Sequence, residues 1–146
     1  MREQIRIAAG KNISIAQAEL EIEGHSIECR INAEKLPNFS PSPGQITAYH
    51  APGGLGIRMD SILYSGYKVL PYYDSLVAKL IVHAPTRELA ISRLKRALSE
   101  LIIDGIETTA DLFLMLSNNE DFNNGDYDIH WLEENLSNPV FLKKYR

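Results

Sequence analysis

Between residues 24 and 34 apolar and polar positions alternate without a break. Ile27, Cys29, Ile31 and Ala33 fall on one side, and Ser26, Glu28, Arg30 and Asn32 on the other. A period of two sends successive side chains to opposite faces of a strand, so the stretch predicts a half-buried strand with one polar face. Residues 45–50 alternate Ile46 and Ala48 against Thr47 and Tyr49, and residues 56–61 alternate Ile57 and Met59 against Arg58 and Asp60. The pattern predicts two further antiparallel strands joined by the turn at 51–55. A short strand is expected around Lys68 and Val69. Residues 76–82 are almost continuously apolar, as in a central strand covered on both faces, with Lys79 the exception. That lysine reads either as a snorkelling cation at the sheet margin or as a buried cation paired with Asp74 or Glu28.

In the second half the period lengthens. Thr86 is placed as the N-cap of a helix running to about Leu101, with Ala90, Leu94, Ala97, Leu98 and Leu101 as its inward stripe. Arg87, Arg93, Lys95 and Arg96 lie mostly outside that stripe and are expected to form a solvated face. Asp104-Gly105 predicts a turn, residues 106–108 a brief strand, 109–116 a second helix and 118–128 a loop or frayed helix. A last helix around 129–136 would tuck Trp131 and Leu132 onto the body, ahead of the cationic tail Lys143-Lys144-Tyr145-Arg146. At the other end, Ile5, Ala8 and Ala9 before Gly10 read as the last turns of a helix. Residues 13–23 carry mixed signals, and residues 35–44, with three prolines, two serines and an asparagine, predict a loop. Strands precede helices, so the expected class is α+β: an antiparallel β-sheet with helices gathered to one side, in a single domain spanning 1–146.

Composition narrows the chemistry. The 15 basic and 19 acidic residues give a net charge of -4 with no basic cluster, which argues against a nucleic-acid partner. No apolar run approaches a membrane span and no apolar core of a secretory signal is present, so the expectation is a cytoplasmic protein with no membrane partner. Cys29, the only cysteine, sits on the apolar face as a small buried hydrophobe and leaves no intrachain disulfide to form. The four histidines at 25, 50, 83 and 130 show no paired spacing, and no metal is assigned. Glycines 53, 54 and 56 are read as turn residues, because Met59 stands where a dinucleotide-binding loop needs its last glycine. What remains is Arg30, a permanently charged planar donor on a rigid strand, a device suited to stabilising an oxyanion. Glu28, Asn32 and Asp74 could orient it or line its pocket, or could equally make structural hydrogen bonds.

The run Glu28-Cys29-Arg30-Ile31-Asn32-Ala33-Glu34, followed by Pro41-Ser42-Pro43-Gly44, His50-Ala51-Pro52-Gly53-Gly54 and Pro71-Tyr72-Tyr73-Asp74-Ser75, resembles the C-terminal domain of biotin carboxylase. The blocks come in the family's order at about its spacing, and the resemblance covers nearly the whole chain. It implies the same α+β architecture. In biotin carboxylases ATP and bicarbonate give carboxyphosphate, and biotin, held on its carrier protein, is carboxylated on a ureido nitrogen that has lost its proton. The resemblance implies that Arg30 is the catalytic residue facing the ureido oxygen. It also implies a homodimer through the glycine turn and the strand after it, at Leu55 and Arg58, and a biotin carboxyl carrier protein as partner. The family grips ATP and Mg2+ with an ATP-grasp domain, and holds bicarbonate and the general base, on segments that precede this stretch. The expectation is therefore a fragment, its first helix cut from a longer polypeptide, inactive alone and binding no cofactor alone. Lys35-Leu36-Pro37 stands where the family usually has Asp-Pro, and Ile62 where it usually has His. These departures leave the parent open among acetyl-CoA carboxylase of fatty acid biosynthesis, the first expectation, and pyruvate, propionyl-CoA or urea carboxylase. The rival reading is a free-standing binding or assembly module that kept the fold and lost the reaction.

Overall fold

In the computed structural model, which describes residues 1–137 and Phe141, a short helix α1 (Arg2–Ala8) precedes strand β1 (His25–Asn32). The paired two-residue strands β2 (Glu34–Lys35) and β3 (Ser40–Pro41) follow. Next come β4 (Gly44–Gln45), β5 (Ala48–His50), β6 (Ile57–Ser61) and β7 (Lys68–Val69), the first and last of these pairing with each other. Strand β8 (Leu76–Ala84) leads through Thr86 into α2 (Arg87–Glu100). Then come β9 (Ile102–Asp104), α3 (Ala110–Ser117), α4 (Glu120–Asn124) and α5 (Trp131–Leu136).

As its apolar run predicts, β8 is central, with β1 and β6 antiparallel on its two sides. In register, Cys29 and Met59 both face Leu80, while Arg30 and Asp60 both face Lys79. One face of the sheet is therefore apolar and the other polar. Cys29, Ile31, Leu80 and Val82 meet Ala90, Leu94, Ala97 and Leu98 of α2 in the main core. Each large aliphatic side chain buried there contributes about 1.5–3 kcal/mol. The helix starts where Thr86, in extended conformation, accepts the Leu89 N–H at 3.3 Å. A second cluster, Leu112, Leu116 and Phe141 with Leu36, Trp131 and Leu132 against them, joins α3 and α5.

Several expectations are corrected. Residues 45–50 and 56–61 do contain strands, but these do not pair with each other: β5 pairs with β9, and β6 with β8. The turn between them is anchored elsewhere. Arg96 Nη2 donates to the Gly53 carbonyl at 3.1 Å, and Gly56 lies so close to the end of β8 that a Cβ there would meet the His83 oxygen at 2.3 Å. The brief strand is residues 102–104 and not 106–108, because the chain must pass Gln45 at Gly105 before it can turn. Residues 13–23 form no regular strand and only a 3-10 turn at Gln17–Glu19, while the proline-rich 35–44 is partly paired through β2 and β3. The basic residues of α2 are not simply solvated. Arg87 donates to the Phe122 and Asn123 carbonyls and lies 3.0 Å from His25 Nε2, and Arg93 donates to the His83 carbonyl. Long stems let these side chains leave the helix surface and satisfy carbonyls at element ends. The cationic tail, Lys143 to Arg146, lies outside the described residues.

Candidate functional site

The sheet face turned away from the core carries Glu28 and Arg30 from β1, Lys79 and Ile81 from β8, and Arg58 and Asp60 from β6. Arg30 stands directly across from Lys79, and Lys79 from Asp60. These positions are dictated by period-two alternation, since the residues between them are committed to the core.

Most of this charge is spent locally. Lys79 Nζ lies 3.6 Å from Glu28 Oε1, with the two side chains 38% and 43% exposed. Lys79 is thus paired but not buried, and such a half-exposed pair contributes about 0–1 kcal/mol. Asp74 is not its partner, because Asp74 Oδ1 accepts the Leu76 N–H at 2.9 Å and so starts β8. Arg58 grips Asp60 with two hydrogen bonds, Nε to Oδ1 at 2.9 Å and Nη2 to Oδ2 at 2.7 Å. That bidentate contact holds the Asp60 carboxyl below the usual carboxylate range and raises Arg58 above its own. Asn32 Nδ2 donates to Glu34 Oε1 at 3.3 Å, and the same oxygen accepts the Ser75 hydroxyl. Asn32 and Glu34 therefore tie the end of β1 to the loop before β8.

Arg30 is different. It is exposed, and among the described residues its guanidinium has no hydrogen-bond or ion-pair partner. None of the expected orienters, Glu28, Asn32 or Asp74, is bonded to it; each has another contact. Five N–H donors remain available in a fixed plane, next to a second cation across the strand pair. Such a group receives an anionic or strongly polar oxygen.

The other candidate surface is the glycine turn. Leu55 at its tip is 85% exposed, and the turn is held by Arg96 from α2, a support that no periodicity in the sequence signalled. Among the described residues no three His, Cys, Asp or Glu side chains converge on a common point.

The family profile for the biotin carboxylase C-terminal domain matches residues 28–134. Over 136 residues the chain is 52% identical to the biotin carboxylase of Haemophilus influenzae, a match that covers 93% of this chain and 30% of that protein. It is 47% identical over 135 residues to a pyruvate carboxylase subunit of Methanothermobacter thermautotrophicus, covering 92% of this chain and 28% of that one. Its fold matches the biotin carboxylase domain of 2-oxoglutarate carboxylase from Hydrogenobacter thermophilus with a TM-score of 0.88 and 45% identity, over 94% of this chain and 30% of that one. That relative was crystallised as a domain dimer with MgADP, ADP and bicarbonate. The chain thus spans about three tenths of the length of these relatives. Profile, identity and fold agree with the motif order around Arg30, and the chain belongs to the biotin carboxylase C-terminal domain family.

Proposed function

We propose that the chain acts as the C-terminal domain of a longer biotin carboxylase, an ATP-dependent ligase that carboxylates biotin on its carrier protein, and that Arg30 is its catalytic residue. One observation carries this reading. Of the charged side chains on the outer sheet face, Glu28 pairs with Lys79 and Arg58 with Asp60, and Arg30 alone is left without a partner among the described residues. When a ureido N–H gives up its proton, negative charge gathers on the ureido oxygen, and a guanidinium already in place donates to it without reorganisation. Such a donor is worth about 3–4 kcal/mol. The deprotonated nitrogen then attacks the carboxyl carbon of carboxyphosphate, and phosphate leaves.

ATP, Mg2+, bicarbonate and the general base belong, in this reading, to segments outside these 146 residues, and the chain alone is inactive. The exposed apolar side chains Ile5, Ile7, Ile13, Ile15, Leu20 and Ile22 support that arrangement, since α1 buries none of its residues within the chain. A larger polypeptide would cover them. The turn with Leu55 and the adjoining Arg58 form the homodimer surface. We take acetyl-CoA carboxylase of fatty acid biosynthesis as the parent system, with a pyruvate or 2-oxoglutarate enzyme as the alternative that other relatives bring in.

The test is Arg30→Gln in the complete enzyme. Bicarbonate-dependent biotin carboxylation should fall about 10²- to 10³-fold while ATP binding stays intact. Normal turnover would remove Arg30 from the mechanism, and carboxylation of free biotin by the 146-residue chain alone would refute the division of labour.

A further inference from the structure

Among the described residues strand β1 is an edge strand, paired with β8 on one side only. At its C-terminal end the open edge is nevertheless satisfied. The Thr109 N–H donates to the Asn32 carbonyl at 3.0 Å, Thr109 Oγ1 accepts the Asn32 N–H at 3.0 Å, and the same hydroxyl donates to the Arg30 carbonyl at 3.2 Å. One threonine, 3% exposed, stands in for a missing strand opposite Arg30 and Asn32.

The place it occupies is the weak point of the ladder. Ile31 faces Ala78 but Asn32 faces Leu76, so Val77 is left over and the register of β1 against β8 slips within one residue of Arg30. Such a bulge bends the strand and disrupts its pairing. Without a contact on the outer edge, the backbone just beyond Arg30 would be held only by this disrupted pairing. Thr109 is also the N-cap residue of α3, where a threonine oxygen ordinarily accepts an N–H of the helix's own first turn, and here it makes no such bond. Its hydroxyl is committed to β1.

We propose that Thr109 is a positioning residue for Arg30, fixing the backbone on either side of the bulge so that the guanidinium is held where the ureido oxygen arrives. The inference depends on the role of Arg30 given above. Small displacements of a reacting or charge-stabilising group carry large kinetic effects, so the hydroxyl acts on turnover and not on nucleotide affinity.

In the complete enzyme, Thr109→Val keeps the side-chain volume and removes both hydroxyl bonds, whereas Thr109→Ser keeps them. Thr109→Val should lower kcat for biotin carboxylation about 10- to 100-fold with the KM for ATP unchanged, and Thr109→Ser should restore it. Added to Arg30→Gln, Thr109→Val should cause no further loss, because both changes remove the same interaction. Wild-type kcat in Thr109→Val, with Arg30→Gln inactive, overturns this inference alone; an active Arg30→Gln overturns the role of Arg30 beneath it. Additive losses in the double variant would reduce Thr109 to general stability and also overturn the inference. If Thr109→Val does not fold, hydrogen exchange of the unaltered protein decides. The Asn32 amide should be as protected as that of Leu80 in the central strand, and free exchange at Asn32 rejects the clamp.

Discussion

Cys29 and Arg30 are neighbours with opposite fates. The thiol points into the core, 2% exposed, and burial, with the Glu28 charge second, pushes its pKa up to about 12. The thiolate is the reactive species, so native Cys29 should resist Ellman's reagent at about pH 8, where the urea-unfolded chain reacts readily. Fast labelling of the folded protein would contradict its burial. The raised value also fixes the sign of the pH dependence. Stability from the neutral thiol is fully present below its unfolded pKa of about 8.5 and is lost as pH rises towards about 12. Arg30, one position on, faces outwards. A single step along a pleated backbone thus separates an inert sulfur from an available guanidinium.

At the scale of elements, turns decide which strands meet. Gly105 takes a φ of +98°, and a Cβ there would lie 2.0 Å from the Gln45 carbonyl oxygen. The contact brings the end of β9 against the residues leading into β5, whose Thr47 N–H donates to the Asp104 carbonyl at 2.9 Å. Gly105→Ala combines left-handed strain with a backbone collision and should cost about 2 kcal/mol or more, read as a lowered urea midpoint. An unchanged midpoint would mean that the β5 and β9 pairing does not need the glycine. The same logic explains why β5 and β6 do not form a hairpin. Residues 51–55 look like a hairpin connection, yet their carbonyl partner is Arg96, on a helix that follows much later in the chain. Alternation announces that a strand exists and which side is apolar, but says nothing about which edge it joins.

For the whole molecule, the glycine turn leads directly into the edge strand β6 of the outer sheet face. Leu55 projects from the turn, and Arg58, locked to Asp60, lies on the strand that follows. Arg58→Glu would place two carboxylates side by side where the bidentate pair now sits. In the proposed dimer it should move the sedimentation coefficient of the complete enzyme from dimer towards monomer, while an unchanged dimer would take the turn out of the interface. Among the described residues Arg30 lies on the opposite edge strand of the same sheet, so the proposed dimer surface can be altered without touching it.

The order of residues was enough to establish the two faces of β1, the outward Arg30 and inward Cys29, the central position of β8, the Thr86 cap and the antiparallel α+β class. Each of these is written in local periodicity or in a residue's effect on its own next turn. Packing in three dimensions was needed to settle that β5 joins β9, that Lys79 pairs with Glu28, that Arg96 of α2 holds the glycine turn and that Thr109 closes the free edge of β1. Those partners are separated along the chain by many residues, 43 between Arg96 and Gly53 and 79 between Thr109 and Arg30. Their choice depends on which carbonyls and amides the packed core leaves without a strand, a property of the assembled backbone that no pattern of side chains along the chain encodes.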